Sequence, residues 1–182
     1  MKKMMMTLAA VLCCAMTTTV FTACGSDDDN TTKPDANKAV AAVMDYSLTT
    51  SDEMLAIFDL TIEYYDANSN VQTEQMTGKT WAKKVTAKLP ATLGLRLKAQ
   101  LKAGVDVSTK EKVTVSYGYN YMGYAINAKG EVVGDVVSKG INTDSDMKGE
   151  KVAEWLTMKT DGLVKYLFDF DANGKVSTSS WR

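Results

Sequence analysis

The stretch that decides the fold is Val113–Ala125, with the sequence VTVSYGYNYMGYA. Large apolar or aromatic residues occupy every second position: Val113, Val115, Tyr117, Tyr119 and Tyr121. Small or polar residues lie between them: Thr114, Ser116, Gly118 and Asn120. Strict alternation of this kind predicts a β-strand with one face in a hydrophobic core and the other face in water.

The same period of two recurs along most of the chain. It is long and regular in Met54–Tyr65, Trp81–Leu89 and Ala91–Ala103. Shorter stretches that fit strands are Val43–Thr49, Val71–Thr77, Glu131–Val137, Leu163–Phe170 and Lys175–Trp181. About nine short strands in one chain indicate an all-β domain.

The connections support hairpins and one crossover. Asp66–Asn70, Asn127–Gly130 and Asp171–Gly174 each join two predicted strands, and their Asn and Gly residues tolerate the positive φ of tight turns. The longer segment Gly104–Lys112 suits a connection between two sheets. Pro90 suits a break between strands or a strand at an edge.

We therefore predict an immunoglobulin-like antiparallel β-sandwich over residues 39–182, with a lipocalin-like β-barrel as the alternative. One short helix is also predicted. Thr143 followed by Asp146 fits a capping box, and Val152, Trp155 and Leu156 share one helical face.

The amino end has the parts of an export signal. Lys2 and Lys3 are followed by a short apolar run, which is too short to span a bilayer, and then by Thr22-Ala23-Cys24. Thr22-Ala23-Cys24 resembles a bacterial lipobox, in which the cysteine becomes the first mature residue and carries lipid. The resemblance implies a signal peptide over residues 1–23, lipidation at Cys24 and attachment to a membrane.

An acidic run follows the cysteine. Gly25-Ser26-Asp27-Asp28-Asp29 resembles the export tag of Bacteroidetes-type surface lipoproteins. That resemblance, carried by Ser26, Asp27, Asp28 and Asp29, implies a lipid-anchored protein of the outer membrane that faces the cell exterior. The alternative interpretation is a solvated acidic linker, and on either interpretation residues 24–38 form a flexible spacer.

Composition excludes several kinds of chemistry. The chain has no histidine, so Ser-His-Asp and Cys-His centres and the common zinc sites are ruled out. Its three cysteines are Cys13, Cys14 and Cys24, so the predicted domain has no thiol. Without Lys2 and Lys3, 19 of the 21 basic residues remain against 22 acidic ones, so no basic excess indicates nucleic acid. We predict no cofactor and no metal.

Two motifs in the sequence have features of binding sites. Asp169–Lys175 (DFDANGK) fits the start of a calcium loop, but position twelve is Ser180 instead of glutamate, which favours a plain hairpin turn. Tyr117, Tyr119 and Tyr121, with the nearby Tyr124, fit a sugar-binding strip. Because the first three share a face with Val113 and Val115, we expect core packing instead.

Two groups of charged residues suggest further candidate sites. Five basic residues fall on outward positions of consecutive strands and fit either a basic face for an acidic polymer or a solvated face paired with Asp59 and Glu63. They are Lys84, Lys88, Arg96, Lys98 and Lys102. Four acids fit a hydrolytic pair or the first turn of a helix. They are Asp144, Asp146, Glu150 and Glu154. We favour the solvated face and the helix start.

These observations predict a surface lipoprotein that acts as a non-catalytic binding or structural module for a glycan or a protein. A lipocalin-like carrier of a small apolar ligand is the alternative, and a carboxylate-based hydrolase is the third.

Overall fold

Two antiparallel sheets packed face to face make up the computed structural model, which describes residues 37–181. The predicted signal peptide, Cys24, the acidic run and most of the linker lie outside the described residues. Nine strands are present within residues 37–181: β1 Ala39–Thr50, β2 Phe58–Tyr65, β3 Val71–Gln75, β4 Thr80–Lys88, β5 Ala91–Leu101, β6 Val113–Asn127, β7 Val132–Met147, β8 Val164–Phe170 and β9 Val176–Ser179. The helices are α1 Asp52–Ile57 and α2 Val152–Met158, and a 3₁₀ turn at Gly149–Lys151 precedes α2.

The strands divide into two sheets with separate edges. Sheet A has the order β4-β1-β6-β7, and sheet B has the order β3-β2-β5-β8-β9. This arrangement confirms the predicted all-β antiparallel sandwich, and it differs from the single closed sheet of the barrel alternative. The segment Gly104–Lys112 passes from β5 in sheet B to β6 in sheet A, as its length predicted.

The core lies between the sheets, on the faces that alternation predicted. Val113, Val115 and Tyr117 of β6 are buried, and Leu93, Leu95 and Leu97 of β5 face them from sheet B with no exposed surface. Burying a leucine side chain contributes about 1.5–3 kcal/mol, so these strand faces are a principal source of stability.

Three hairpins use one turn geometry. Asp66, Asn127 and Asp171 each stand at the first turn position, and a side-chain oxygen of each accepts hydrogen bonds from the backbone N–H groups two and four residues later, at 2.8–3.0 Å. The residue three positions later has positive φ in every case: Ser69, Gly130 and Gly174. Glycine suits this conformation in two of the turns and Ser69 adopts it in the third, so the side-chain acceptor at the first position is the feature that all three turns share.

A polar network closes the sandwich where the edge strands β3 and β4 meet. The Glu74 carboxylate accepts hydrogen bonds from the Tyr64 hydroxyl and the Trp81 indole N–H, both at 2.8 Å, and forms an ion pair with Lys83. The Lys83 ammonium also lies 4.4 Å from the centre of the Tyr64 ring. Four side chains from three strands therefore hold the two sheets together at this edge.

Both helices differ from the prediction. Met54–Tyr65 was expected to be one strand, but its first residues belong to α1. Ser51 caps α1, because its hydroxyl accepts a hydrogen bond from the Met54 N–H at 3.1 Å, and Asp52 and Glu53 suit the positive end of the helix.

The predicted helix near residue 150 exists, but its predicted start is wrong. Thr143 and Asp146 do not form a capping box, because both lie in β7, and α2 begins only at Val152. The Asp146 side chain accepts a hydrogen bond from the Thr114 hydroxyl of β6 at 2.8 Å, so pairing between strands outweighs the local helix signal.

The two sheets, the two helices and the core that the structure describes belong to one compact unit, Pro34–Arg182. Within residues 37–181, neither helix has the length and apolar character needed to cross a membrane.

Candidate functional site

The outer face of sheet B carries a row of charged side chains on three neighbouring strands. Glu63 of β2 lies directly opposite Arg96 of β5, and Arg96 lies directly opposite Lys165 of β8. All three side chains point away from the core, because side chains alternate between the two faces of a strand and the neighbours of these residues in sequence face inward. Lys98 of β5 extends the row, and Asp161 lies in the loop before β8.

Glu63 holds two of the cations in place. Its carboxylate accepts hydrogen bonds from Arg96 Nε at 2.6 Å and from Lys98 Nζ at 2.7 Å. Partial burial by itself raises the pKa of Glu63, but the hydrogen bonds from Lys98 and Arg96 outweigh it and lower that pKa below its ordinary value. Glu63 is therefore ionised at neutral pH, and Arg96 has a fixed position.

Trp181 lies over this row. It follows the end of β9, and its indole ring lies 4.7 Å from the Arg96 guanidinium carbon and 5.1 Å from the Tyr65 ring. Trp181 is partly buried against the core residues. The contact of a guanidinium with an indole face is favourable, and it fixes the orientation of both groups.

A recess of about 250 Å³ opens beside Trp181. Its polar lining comes from Arg96, Lys165, Asp161, Ser179 and Ser180. Lys165 pairs with Asp161 at 2.7 Å, and this pair is far more exposed than the pair of Arg96 and Glu63. With Lys98 beside it, the surface combines one indole ring, three cations and two carboxylates.

The predicted basic face is divided between the two sheets. Lys84 and Lys88 lie on β4 in sheet A, whereas Arg96 and Lys98 lie on β5 in sheet B and Lys102 directly follows β5. Consecutive strands were expected to be neighbours, but β4 and β5 belong to opposite layers. The expected pairing of basic residues with Glu63 is confirmed, for Arg96 and Lys98.

The tyrosines of β6 point mainly into the core, as expected. Tyr117 is buried, and Tyr121 packs 4.2 Å from the Tyr166 ring across the sandwich. Burial raises the pKa of both Tyr121 and Tyr166. Tyr124 lies on the opposite face of β6, where its hydroxyl accepts a hydrogen bond from Lys84 at 3.2 Å.

The calcium-like stretch forms a hairpin turn. Asp171 uses one carboxylate oxygen to accept hydrogen bonds from the N–H groups of Asn173 and Lys175, and Asp169 accepts one from the Thr92 hydroxyl at 2.6 Å. These local bonds are those expected of a turn. Among residues 37–181, no three side chains of His, Cys, Asp or Glu are grouped as a metal site would require.

The four acids near residue 150 belong to different elements. Asp144 and Asp146 lie in β7, Glu150 in the 3₁₀ turn and Glu154 in the first turn of α2. Only Glu154 therefore has the helix-start position that we expected, and it pairs with Lys151 at 3.0 Å.

A second recess lies on the outer face of sheet A and is polar. Its volume is about 260 Å³, and its lining includes Ser47, Thr49, Asn120 and Asn142. Gly118 also lines this recess, and a side chain at that position would collide with those of Thr49 and Asn142. This recess has hydrogen-bonding groups but no charged side chain.

Lys165, Asp161 and Trp181 carry no motif in the sequence that indicates a site. The period of two predicts that Arg96 and Lys165 point outward, but only the pairing of β5 with β8 makes them neighbours. Comparisons with protein-family models, with curated proteins and with solved structures found no match for this chain.

Proposed function

We propose that this chain is a lipid-anchored protein of the cell surface and that its β-sandwich is a non-catalytic module that binds an acidic glycan in the Trp181 recess. The observation that carries the proposal is the indole ring against Arg96 in a recess that Lys165 also lines. An aromatic ring offers a flat apolar surface to a sugar ring, and cations bind carboxylate or sulfate groups.

The filled core favours a binding surface over the carrier alternative. A carrier of a small apolar ligand needs an enclosed cavity lined by apolar groups. Here the space between the sheets is occupied by buried side chains from both, including Leu48 of sheet A and Leu95 and Phe170 of sheet B. The recess at Trp181 is instead a surface feature with a charged lining, which suits a polar polymer.

The proposed position at the membrane rests on the amino-terminal sequence. Lipid on Cys24 and a spacer of residues 24–38 allow the domain to stand up to about 50 Å from the bilayer, at roughly 3.3–3.6 Å per extended residue. Two or more acyl chains are needed for a stable anchor of this kind. A tethered domain at that distance can reach polymers outside the cell.

The anchor is tested by fatty-acid labelling in cells. Cys24→Ser is expected to abolish labelling and membrane association, whereas replacing Asp27, Asp28 and Asp29 with alanine is expected to keep the label but to remove access to external protease. Unchanged labelling in Cys24→Ser would contradict the anchor. Equal proteolysis of the alanine variant would show that the acidic run is only a linker.

Glycan binding is tested separately on residues 34–182. Polygalacturonate and heparin are expected to raise the melting temperature, and neutral dextran is not. A ligand at one hundred times its Kd adds about 2.7 kcal/mol, which is several degrees for a domain of this size.

Lys165→Gln is the informative variant, because Lys165 is an exposed member of the recess. Lys165→Gln is expected to weaken the binding of polygalacturonate and heparin several-fold, and Trp181→Ala is expected to weaken it further. Lys84→Gln on sheet A is the matched control and is expected to bind normally. Equal losses in Lys165→Gln and Lys84→Gln would indicate nonspecific attraction to charge and would overturn the proposed site.

A further inference from the structure

β7 is a long strand at the edge of sheet A. Among the described residues, only the side of β7 that faces β6 is paired with another strand. It runs for 16 residues and pairs with β6 along almost its whole length. The edge strands of sheet B are much shorter, with five residues in β3 and four in β9. On the far side of sheet A, β4 is tied to Glu74 through Trp81 and Lys83. A long free edge offers backbone N–H and C=O groups to another strand.

Exposed apolar side chains are concentrated at this edge. Seven large apolar side chains are exposed among the described residues, and Val132, Val136 and Ile141 of β7 are three of them. A fourth, Met122 of β6, lies directly beside Ser138 of β7. Apolar groups collected along an unpaired edge are a feature of strand-mediated association.

The charges of β7 are arranged for a partner strand that runs in the opposite direction. The segment Val136–Met147 pairs with β6 without a bulge, and Ile141 lies near its middle. Lys139 lies on the amino side of Ile141 and Asp144 and Asp146 lie on the carboxyl side, while Asp135 precedes this segment. A second copy in antiparallel orientation about Ile141 moves Lys139 of one strand away from Lys139 of the other, and it separates the aspartates of the two strands in the same way. A parallel copy in register would place like charges together.

We propose that β7 pairs antiparallel with β7 of a second copy, about a two-fold axis at Ile141, so that two A sheets join into one sheet of eight strands. In this register Lys139 faces Thr143, Ser138 faces Asp144 and Gly140 faces Asn142. No two charges of the same sign are directly opposite. Closed two-fold pairing also covers both edges, so the assembly stops at two copies.

Cysteine cross-linking measures this register directly, because residues 34–182 contain no cysteine. With Ile141→Cys, the two Cβ atoms across the axis lie about 4.5–5.5 Å apart, within disulfide reach. With Lys139→Cys, the two cysteines lie four residues apart along the strands, or about 13 Å, which is too far for a disulfide. Under mild oxidation we expect at least tenfold more covalent dimer from Ile141→Cys than from Lys139→Cys.

Two further variants complete the test. The double variant Lys139→Cys with Thr143→Cys restores facing pairs and is expected to cross-link as well as Ile141→Cys. Ile141→Lys places two ammonium groups at the axis, and because Ile141 is exposed the variant is expected to keep its fold by circular dichroism. In sedimentation the wild-type domain is expected to dimerise, and Ile141→Lys is expected to be monomeric.

The proposal is independent of glycan binding, since the recess lies on the other sheet. It is overturned if the wild-type domain remains monomeric at millimolar concentration. Equal cross-linking of Ile141→Cys and Lys139→Cys would overturn it as well, because random collision gives that result. A dimer that survives Ile141→Lys would also contradict it, since another surface would then be responsible.

Discussion

Glu74 allows a quantitative prediction about stability in acid. Its carboxylate is the shared acceptor at the β3–β4 edge, and both oxygens are used. The hydrogen bond from Lys83, followed by that from Trp81, lowers the pKa of Glu74 from 4.5 to about 2. Protonation of Glu74 therefore removes an ion pair and weakens the contact between the two sheets. We predict that this one residue accounts for a measurable part of acid unfolding.

The magnitude follows from the lowered pKa. A change of about 2.5 in pKa corresponds to about 3.4 kcal/mol at 1.36 kcal/mol per pH unit. The side chain is 35% exposed, so solvent screening reduces the expected contribution to about 1–2 kcal/mol. The unfolded chain takes up the proton near pH 4.5 and the folded chain near pH 2. The stabilisation is therefore complete above about pH 5.5 and is lost as the pH falls towards 2.

Urea unfolding of residues 34–182 at pH 7 and pH 3 measures this contribution. Between pH 7 and pH 3, the free energy of unfolding of the wild type is expected to fall by about 1 kcal/mol more than that of Glu74→Gln, because glutamine has no carboxyl to titrate. Glu111→Gln, at an exposed position, is the control and is expected to lose as much as wild type. Equal losses for wild type and Glu74→Gln would refute the assigned role of the carboxylate.

Three other tests, two of them with a matched control, concern the fold and the recess. Gly94→Ala is expected to cost about 1–3 kcal/mol, because its Cβ would lie 2.5 Å from the Tyr166 carbonyl oxygen, whereas the Cβ of Gly78→Ala would make only an ordinary contact at 4.0 Å with the Thr80 carbonyl oxygen, so that variant is expected to be neutral in a thermal melt. Asp171→Ala is expected to cost about 1 kcal/mol by the same measurement and Asp171→Asn almost nothing, since Asn127 accepts the same bonds in another turn. Asp161→Asn is expected to tighten acidic-glycan binding several-fold by calorimetry, since it frees Lys165; unchanged affinity would contradict the role of Lys165.

Most of the fold was predictable because it depends on period and turn chemistry. The alternation in Val113–Ala125 is a local property that burial against a second sheet requires, and β6 follows it closely. The turns at Asp66, Asn127 and Asp171 were predictable because their residue types alone satisfy the turn geometry. In these segments the sequence pattern and the tertiary structure favour the same conformation.

The misplaced elements share a different physical cause. The carboxyl half of β7 was not predicted, because both of its faces are exposed and its residues show no alternation between apolar and polar. Its strand conformation comes from pairing with β6, which is a long-range effect. In Met54–Tyr65 the apolar residues suit a helix as well as a strand, and the decisive signal was the cap at Ser51.

The candidate recess was the least predictable part, because it depends on which strands become neighbours. Outward positions were correctly assigned to Arg96 and Lys98, but strand order places Lys84 in the other sheet and Lys165 beside Arg96. A period-two pattern determines the face of a residue. It contains no information on which strand pairs with which, and a surface site built from three strands requires that information.

The two ion pairs at the recess differ in a way that favours binding. Arg96 is held by Glu63 and covered by Trp181, so the indole has a rigid support before any ligand arrives. Rigid groups lose little freedom when a ligand binds, which favours affinity. Lys165 instead pairs with Asp161, a carboxylate that is 80% exposed. Exposed ion pairs are weak, so an acidic group on a ligand can replace Asp161 at little cost. The recess therefore combines a fixed aromatic support with a cation that can exchange its partner, and the proposed binding of an acidic sugar uses both.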